Sequence, residues 1–504
     1  MEFERALHVA QQRPNDESAL SDLATAALAE AREDVALPLL RRAAGRAPSA
    51  LLWQWTGLLE RSLDEHALAI KSFARAAGLA PTDRSIAHGH ARVALEAGLP
   101  AQELFERALR LSPGDGDVLL GYCAALFAGG KSDAAEAGLV GVLERAPLWT
   151  DGHVQLAQLR SMIGKKNQAT ASFERAIQMQ PKLRPLWIAL FRLLTQSARF
   201  EELDESVARA RSHVPSEPEL IGYEAIAAAE LGDTQRADRL FSLMRPEAQE
   251  MAVIFRIRHL LRSGRVGEAC ARIDEALQSD QAAHVWPYAA IAWRLSADPR
   301  SHWLEGDLDR MVSIVDLKSA LPDIPSLERV LRRLHSGKGE FLDQSVRGGS
   351  QTDGPLFTRI DPEIRALRSA IAGAVERHVQ NLPAPDSFHP LLGRRRDRRT
   401  RFSGSWSVFL RGGGYHTNHV HPEGWISSAL YIHLAEPNVG DPVNAGWLTI
   451  GEADTKLGVE LRAVREIEPK VGRLVLFPSY MWHGTRPFTK GERLTVAFDV
   501  RQPI

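Results

Sequence analysis

Apolar residues over roughly the first 290 positions recur at i, i+3 and i+4, which is the spacing of an amphipathic helix with one buried stripe. Three stretches of closely similar form lie at 72–77, 104–109 and 172–177. Prolines follow at a nearly fixed interval: Pro14, Pro48, Pro81, Pro113, Pro147, Pro181 and Pro215. The steps between them are 34, 33, 32, 34, 34 and 34 residues. Because proline stops a helix, the pattern predicts a series of helical hairpins separated by prolines.

This period resembles that of the tetratricopeptide repeat family, whose unit is a helix, a turn and a second, antiparallel helix. Small residues at the predicted turns, such as Gly98 and Gly232, suit tight connections. The resemblance covers roughly residues 1–290 and implies a superhelix whose concave surface holds a peptide or a partner protein. The alternative is an array that only packs against the rest of the chain or dimerises.

Beyond about residue 300 the pattern becomes mixed and then β. A strand is predicted over 313–317 and helices over 325–334 and 362–379, and the glycine-rich residues 347–354 predict a loop that is either a lid or a plain connector. Short β-branched and aromatic runs separated by turn residues then predict five strands, over 405–411, 426–434, 447–450, 473–477 and 493–500. Strands of this length and spacing favour a sandwich or a jelly-roll barrel.

Composition narrows the class of protein. With 44% hydrophobic and 25% charged residues, the 504-residue chain is typical of globular proteins. Its 62 Lys and Arg residues balance 63 Asp and Glu residues, so no net field draws it to nucleic acid or anionic lipid. Its two cysteines, Cys123 and Cys270, lie far apart, which excludes a disulfide framework and a zinc finger. Without a secretion signal or a membrane span, we expect a soluble cytoplasmic protein.

The densest group of candidate metal ligands lies at 416–421, which contains His416, His419 and His421. Residues two apart on a strand project to the same face, so His419 and His421 can both reach one ion. Imidazole suits iron, copper, nickel and zinc, although such a pair also occurs on solvated loops. A further histidine, His483, follows His421 by 62 residues, after an apolar strand and a proline turn.

Arg493 stands ten residues after His483, at the start of a strand whose alternate residues are apolar. Arg493 therefore shares the opposite face with Thr495 and Ala497. If that face lines the barrel, the guanidinium needs an anion, and its planar fork pairs well with a carboxylate. Thr495 could add a hydroxyl hydrogen bond. The alternative is an edge-strand arginine in a surface ion pair.

Together these groups resemble the iron(II)- and 2-oxoglutarate-dependent oxygenases. Residues 340–504 are more closely similar to the oxygenase family that follows tetratricopeptide repeats in bacteria, through 404–408 (Gly-Ser-Trp-Ser-Val), 419–427 (His-Val-His-Pro-Glu-Gly-Trp-Ile-Ser), 476–479 (Leu-Phe-Pro-Ser) and 492–499 (Glu-Arg-Leu-Thr-Val-Ala-Phe-Asp). The resemblance implies a double-stranded β-helix in which His419 and His483 bind iron. It also implies that Arg493 and Thr495 bind the 5-carboxylate of 2-oxoglutarate.

The position two after His419 departs from the commonest pattern, in which a carboxylate completes the ligand triad. Here it is His421, which we predict to be the third ligand; the alternative is that it turns away and water fills the position. A neutral ligand leaves iron(II) with its full charge, to be offset by 2-oxoglutarate and by nearby acidic residues. Glu423 is a candidate substitute carboxylate.

Other residues near these motifs are candidates for supporting roles. Tyr431 is a candidate hydrogen-bond donor to 2-oxoglutarate, and the alternative is a core tyrosine. His416, Trp425 and Arg411 are candidates for contacting substrate or supporting the metal ligands. The tryptophans of this region are expected to form the core and the cavity walls. Residues 393–401 contain six arginines, which either attract an acidic or phosphate-bearing substrate to the mouth of the barrel or form a solvated loop.

The predicted fold is α+β and multidomain. It comprises a tetratricopeptide-like helical array over 1–295, a mixed connecting segment with helices flanking the β domain over 296–400, and a double-stranded β-helix, or jelly roll, over 401–504. The predicted function is iron(II)- and 2-oxoglutarate-dependent hydroxylation by molecular oxygen of a protein or peptide bound by the repeats, with no nucleic acid or membrane partner. The alternatives are an inactive interaction scaffold and a three-histidine dioxygenase that does not use 2-oxoglutarate.

Overall fold

A computed structural model describes residues 2–215, 218–244, 246–335, 345–436 and 438–503. Paired helices fill the first part of the chain, as the period predicts. The helices are α1 (Glu2–Gln12), α2 (Glu17–Ala29), α3 (Glu33–Arg46), α4 (Ala50–Ser62), α5 (His66–Leu79), α6 (Arg84–Glu96), α7 (Gln102–Leu111), α8 (Gly116–Ala128), α9 (Ser132–Arg145), α10 (Thr150–Met162), α11 (Ala171–Met179), α12 (Arg184–Gln196), α13 (Phe200–Arg211), α14 (Pro218–Glu230), α15 (Thr234–Leu243), α16 (Pro246–Arg262), α17 (Val266–Ala276), α18 (Ala282–Leu295), α19 (Arg300–Glu305), α20 (Leu308–Met311), α21 (Ile324–Leu334) and α22 (Pro362–Asn381).

Each hairpin of the array turns through one residue with a positive φ angle. These residues are Ala31, Asp64, Gly98, Gly130, Gly164, Ala198, Gly232, Gly264 and Ala297. The left-handed conformation lets backbone amides beyond the helix bond to its last carbonyls, which ends the first helix and reverses the chain. The periodic prolines lie in the other connections, for example Pro81 between α5 and α6, which confirms the predicted helical repeat.

Close packing between neighbouring hairpins depends on glycine. The ring of Phe73 on α5 lies between Gly57 on α4 and Gly89 on α6. A Cβ atom at either glycine would fall 2.7 or 2.4 Å from that ring, closer than side-chain carbons approach in folded proteins. The three helices therefore interlock at Phe73, and the hairpins stack into a continuous array.

The β region contains two antiparallel sheets, in agreement with the predicted jelly roll. Its strands are β1 (Ser313–Asp316), β2 (Val346–Gln351), β3 (Phe402–His416), β4 (Gly424–His433), β5 (Leu448–Ile450), β6 (Arg465–Ile467), β7 (Arg473–Pro478), β8 (His483–Thr485) and β9 (Glu492–Arg501). The larger sheet has the order β1-β7-β4-β9-β3-β2, and the smaller has the order β6-β5-β8. Pairing between strands that are distant in sequence, such as β3 and β9, brings separate sequence motifs together.

Two local predictions are wrong. Most of the glycine-rich segment predicted as a loop is β2, which pairs with β3, so it is an edge strand of the larger sheet and not a lid. His419 and His421 do not lie within a strand. They follow β3 in a connection that is held by a single bridge, in which the amide and carbonyl of His419 bond to those of His483 at 2.9 and 3.0 Å.

The β region and the neighbouring helix α22 contact both ends of the array. Near the N-terminus, Arg368 donates to the carbonyls of Leu63 and Asp64 at 3.1 and 2.9 Å. Near the end of the array, Arg262 donates to the carbonyl of Lys456 at 2.9 Å, and the indole of Trp482 donates to the carbonyl of Pro287 at 2.9 Å. The array and the β region are therefore fixed to each other at two separate places.

The arginine-rich segment 393–401 takes part in this contact. Arg401 binds the buried carboxylate of Glu33 in the α2–α3 hairpin, with one N–O distance of 2.8 Å, and Arg399 lies 3.2 Å from Glu65 in the α4–α5 hairpin. Two of the six arginines thus dock the β region on the first repeats, a role that neither sequence-based interpretation anticipated. Among the described residues, no helix has the length and apolar character needed to cross a bilayer.

Candidate metal centre

A cavity of about 640 Å³ lies between the two sheets. Strands β3, β4 and β9 of the larger sheet and β5 and β8 of the smaller one contribute to its walls. The array also contributes, through the α12–α13 turn at 196–198 and through Arg258 on α16. The cavity is therefore shared between the β region and the repeats.

Three histidines meet in this cavity. Each of His419, His421 and His483 offers one ring nitrogen, and these nitrogens lie within 4.8 Å of one another. The bridge between His419 and His483 fixes two of the rings, and the amide of His421 donates to the carbonyl of Ser479 at 3.1 Å. The segment 479–483 thus positions the backbone of both His419 and His421 through these hydrogen bonds.

Hydrogen bonds orient all three rings in the same sense. Nδ1 of His419 lies 2.8 Å from the carbonyl of Thr417, and Nδ1 of His483 lies 3.0 Å from the carbonyl of Met481. Nδ1 of His421 lies 2.7 Å from a carboxylate oxygen of Asp499. Because these oxygens only accept, each Nδ1 carries a proton, and in the neutral ring Nε2 keeps its lone pair. This is the arrangement of metal-binding histidines, whose second nitrogen donates to a carbonyl or a carboxylate.

Burial keeps two of the rings neutral at physiological pH. It lowers the pKa of His419 to about 3 and the pKa of His483 well below its ordinary value, and the neighbouring histidines add to both effects. For His421, burial also favours the neutral form, but the charge and hydrogen bond of Asp499 outweigh it and raise the pKa. Neutral imidazole is the form that binds a metal, so His419 and His483 are ready to bind a divalent cation, and the cation would displace a proton from Nε2 of His421.

A buried guanidinium lies in the same cavity. Arg493 is 4% exposed, and its Nη1 donates to the carbonyl of Gly446 at 2.7 Å. Its Nε and the hydroxyl of Tyr431 are buried without a hydrogen-bond partner, and the guanidinium carbon lies 5.1 Å from the centre of the Tyr431 ring. Arg493 forms no ion pair with any described residue. Thr495 and Ala497 line the cavity beside it, so the donor set fits a carboxylate ligand.

Asp499 is a site residue that the sequence reasoning missed. Its Oδ2 accepts from His421, and its Oδ1 lies 2.6 Å from the hydroxyl of Ser427. The signal was available, because Asp499 follows Arg493, Thr495 and Ala497 at steps of two and so belongs to the same face of β9. All four residues line the cavity.

His416 lies in the cavity but outside the close group of three. Its ring is stacked on that of His419, with the ring centres 5.9 Å apart. The hydroxyl of Ser345 lies 3.2 Å from both Nδ1 of His416 and Nε2 of His419. Trp406 and Trp482 form part of the cavity wall, as expected.

Three other candidates lie outside the cavity. Glu423 is 79% exposed and pairs with His284 on α18 at 3.1 Å, so it does not stand in for a carboxylate ligand. The indole of Trp425 donates to the carbonyl of Leu391 at 2.9 Å and is buried away from the cavity. Arg411 is exposed and lies over the ring of Phe409 at 5.4 Å.

The histidines, Arg493 and Asp499 all lie within one recognisable segment. Residues 404–499 match the family model described as "Putative 2OG-Fe(II) oxygenase". Residues 100–161 match a family model of the tetratricopeptide repeat. These two matches confirm the resemblance of the chain to a repeat array fused to such an oxygenase domain.

Several solved repeat structures are similar to part of the chain. YrrB, a tetratricopeptide protein with an unusual peptide-binding site, is 17% identical with a TM-score of 0.29, over 37% of this chain and 98% of that one. A repeat protein from Parabacteroides merdae is 16% identical with a TM-score of 0.32, over 45% of this chain and 90% of that one. A thermophilic repeat protein from Thermus thermophilus is 21% identical with a TM-score of 0.27, over 35% and 99%. No curated protein matches the chain significantly.

Proposed function

We propose that this protein is an iron(II)- and 2-oxoglutarate-dependent oxygenase that hydroxylates a protein or peptide. One observation carries the proposal. A single cavity holds three imidazole nitrogens oriented to bind a cation and a buried guanidinium that has no carboxylate partner among the described residues. A metal ion and a dicarboxylate together would satisfy both ends of this cavity.

The proposed roles follow from the donors. His419, His421 and His483 would hold iron(II) through Nε2. Arg493, with the hydroxyls of Tyr431 and Thr495, would bind the far carboxylate of 2-oxoglutarate. Bound iron(II) supplies the activation of dioxygen, so that 2-oxoglutarate, dioxygen and a C–H group yield succinate, carbon dioxide and a C–OH group. Trp406 and Trp482 would limit the access of water to the reacting groups.

The array supports a macromolecular substrate. Residues 196–198 and Arg258 belong to the repeats and line the cavity. A segment bound along the array would therefore present its side chains at high effective concentration beside the metal centre. Tetratricopeptide repeats commonly bind other proteins, which favours a protein or peptide over a small molecule. Cys123 and Cys270 form no disulfide, in keeping with the proposed cytoplasmic location.

The deciding experiment is an anaerobic titration of the purified protein with iron(II) and then 2-oxoglutarate, followed by visible absorption. We expect a charge-transfer band from the chelate in the wild-type protein. His483→Ala should lose the band because it removes a metal ligand. Arg493→Leu should bind the metal but require far more 2-oxoglutarate to form the band. Glu423→Gln serves as the control, since it changes a charge outside the cavity.

The possible outcomes separate the candidate functions. Metal binding without any effect of 2-oxoglutarate would point to a three-histidine dioxygenase of another class. Absence of metal binding in a folded protein would point to an interaction scaffold. With the band established, 2-oxoglutarate-dependent addition of one oxygen atom to a protein, detected by mass spectrometry, would identify the substrate.

A further inference from the structure

The buried carboxylate of Asp499 has the His421 ring as its partner. It is 8% exposed, and it forms no ion pair with an arginine or lysine among the described residues. Its two oxygens are instead directed at Nδ1 of His421 and the hydroxyl of Ser427, at 2.7 and 2.6 Å. The Ser427 hydroxyl in turn lies 3.0 Å from that of Ser479. The carboxylate is thus fixed in position, with its charge available to the His421 ring.

His421 differs from the other two histidines in this respect. The rings of His419 and His483 face backbone carbonyls, which are neutral dipoles, whereas the ring of His421 faces a carboxylate. His421 also occupies the position, two after His419, where the usual triad has its anionic ligand. The negative charge that a carboxylate ligand would supply is therefore present on Asp499 of β9, on the far side of the His421 ring.

We propose that Asp499 is the positioning residue of the metal centre and that it supplies, through His421, the negative charge that three neutral ligands lack. This inference rests on the proposed metal centre. The carboxylate holds the proton on Nδ1, directs Nε2 at the ion and makes that nitrogen more basic. Substitution of such partners typically weakens metal binding by about 10- to 100-fold.

The test compares two variants, Asp499→Asn and Asp499→Ala, with the wild-type chain. Asparagine keeps the shape and an oxygen that can accept from Nδ1, but it removes the charge. Cobalt(II) is the probe, because it is stable to oxidation and its visible spectrum reports ligand geometry. Affinity is measured by competition with a chelator, without 2-oxoglutarate. We expect Asp499→Asn to bind cobalt(II) about 10- to 100-fold more weakly, and Asp499→Ala to bind it at least as weakly.

Two controls keep the result specific. Glu423→Gln makes the same charge change at an exposed position and should leave the cobalt(II) affinity unchanged. Metal-free Asp499→Asn should unfold in urea in the single cooperative transition of the wild type, because asparagine keeps an acceptor for Nδ1 of His421. Loss of that transition would instead indicate a purely structural role.

The outcomes separate this inference from the proposed function. Wild-type cobalt(II) affinity in Asp499→Asn would overturn the inference, even if Asp499→Ala were weakened, because charge would then be irrelevant. A wild-type protein that binds no cobalt(II) would overturn the metal centre and this inference together. If the cobalt(II) affinity falls only in the Asp499 variants and the wild-type protein does not bind 2-oxoglutarate, this inference would be supported and the proposed oxygenase would be overturned.

Discussion

Buried charges are treated differently in the array and in the cavity. In the array, the side chain of Glu230 is 2% exposed and is bound by Arg258 and Arg262. Glu33, also 2% exposed, is bound by Arg401 across the contact with the β region. In the cavity, Arg493 and Asp499 are almost as deeply buried, yet neither has an oppositely charged, permanently ionised partner among the described residues. An ion pair already formed serves folding, whereas an unpaired buried charge costs free energy until a ligand binds.

Arg493 and Asp499 have charges of opposite sign and line one cavity. A ligand pair that contains both a cation and an anion would therefore relieve both. We therefore expect the buried charges of the array to serve folding and those of the cavity to serve ligand binding, which mutagenesis can test. Removal of a charge in the array should weaken folding, and removal of a charge in the cavity should weaken ligand binding without weakening folding.

The largest effect is expected at Glu230. Its carboxylate accepts from Arg258 at 2.6 and 2.8 Å and from Arg262 at 3.1 Å. Glu230→Gln leaves two partly buried guanidinium groups without their anion and should lower the free energy of unfolding by about 3 to 5 kcal/mol. Urea denaturation followed by circular dichroism measures the change.

Glu268→Gln is the matched control for this substitution. The Glu268 side chain is 64% exposed and lies 3.9 Å from Arg265, so its loss should change the stability by less than about 1 kcal/mol. Equal effects of the two substitutions would show that burial does not distinguish the ion pairs of the array.

The next effect concerns Arg493 and should appear in binding. Arg493→Leu removes the buried guanidinium group and should weaken the affinity for 2-oxoglutarate by about 2 kcal/mol or more, roughly 30-fold or greater. The metal-free variant should be no less stable than the wild type, because leucine removes an unpaired charge from the interior. Calorimetric titration with 2-oxoglutarate in the presence of cobalt(II), together with urea denaturation, measures both quantities.

Arg493→Lys adds a second comparison. Lysine keeps the charge but cannot form the two parallel hydrogen bonds of a guanidinium, so its affinity for 2-oxoglutarate should be intermediate. A marked loss of stability in metal-free Arg493→Leu would contradict the division between folding charges and ligand charges.

Glu305 on α19 tests the behaviour of a buried acid that forms no ion pair with any described residue. One of its carboxylate oxygens is buried without a hydrogen bond. Burial raises its pKa to about 7, against a smaller opposing effect of Arg294. Since the folded state holds this proton more tightly than the unfolded state, stability should fall as the pH rises from about 4.5 through about 7. Glu305→Gln should therefore raise the free energy of unfolding by about 3 kcal/mol at pH near 8.5 and change it little near pH 4.5.

Urea denaturation of both proteins at several pH values measures this difference. Because other groups also titrate in this range, the quantity to compare is the difference between variant and wild type at each pH. A difference that stays constant from acid to alkaline pH would show that Glu305 ionises normally in the folded protein.

The sequence predicts the array better than the site for a physical reason. A helical hairpin is stabilised by contacts within and between adjacent repeats, so its signals, such as Pro81 and Gly98, recur at a short, fixed interval. The cavity depends on pairing between strands far apart, such as β3 with β9. Alternation on β9 predicted that Arg493 and Thr495 share one face of the strand. The residues of one strand do not indicate which other strand it will pair with.

The residues misjudged in the β region show the same limit. Glu423 has the right chemistry for a ligand, but its connection turns it towards His284 on the array. The glycines at 347–354 suggested a loop, although β3 offered this segment a free edge to pair with. Alternation places Asp499 on the same face of β9 as Arg493, but its pairing with the His421 ring has no fixed spacing in the sequence and was missed.

The smallest predicted effect involves backbone conformation alone and compares two equivalent turns. Ala198 and Gly232 lie 34 residues apart, with φ angles of 52° and 83°, and the turns around them form the same pair of backbone hydrogen bonds. A Cβ atom at Gly232 would meet nothing within 4 Å, so only backbone strain separates alanine from glycine there. Ala198→Gly should raise the free energy of unfolding by about 0.5 to 1 kcal/mol, and Gly232→Ala should lower it by a similar amount. Ala198 also lines the cavity, so unequal magnitudes in urea denaturation would reveal a contribution of its methyl group to packing at the wall.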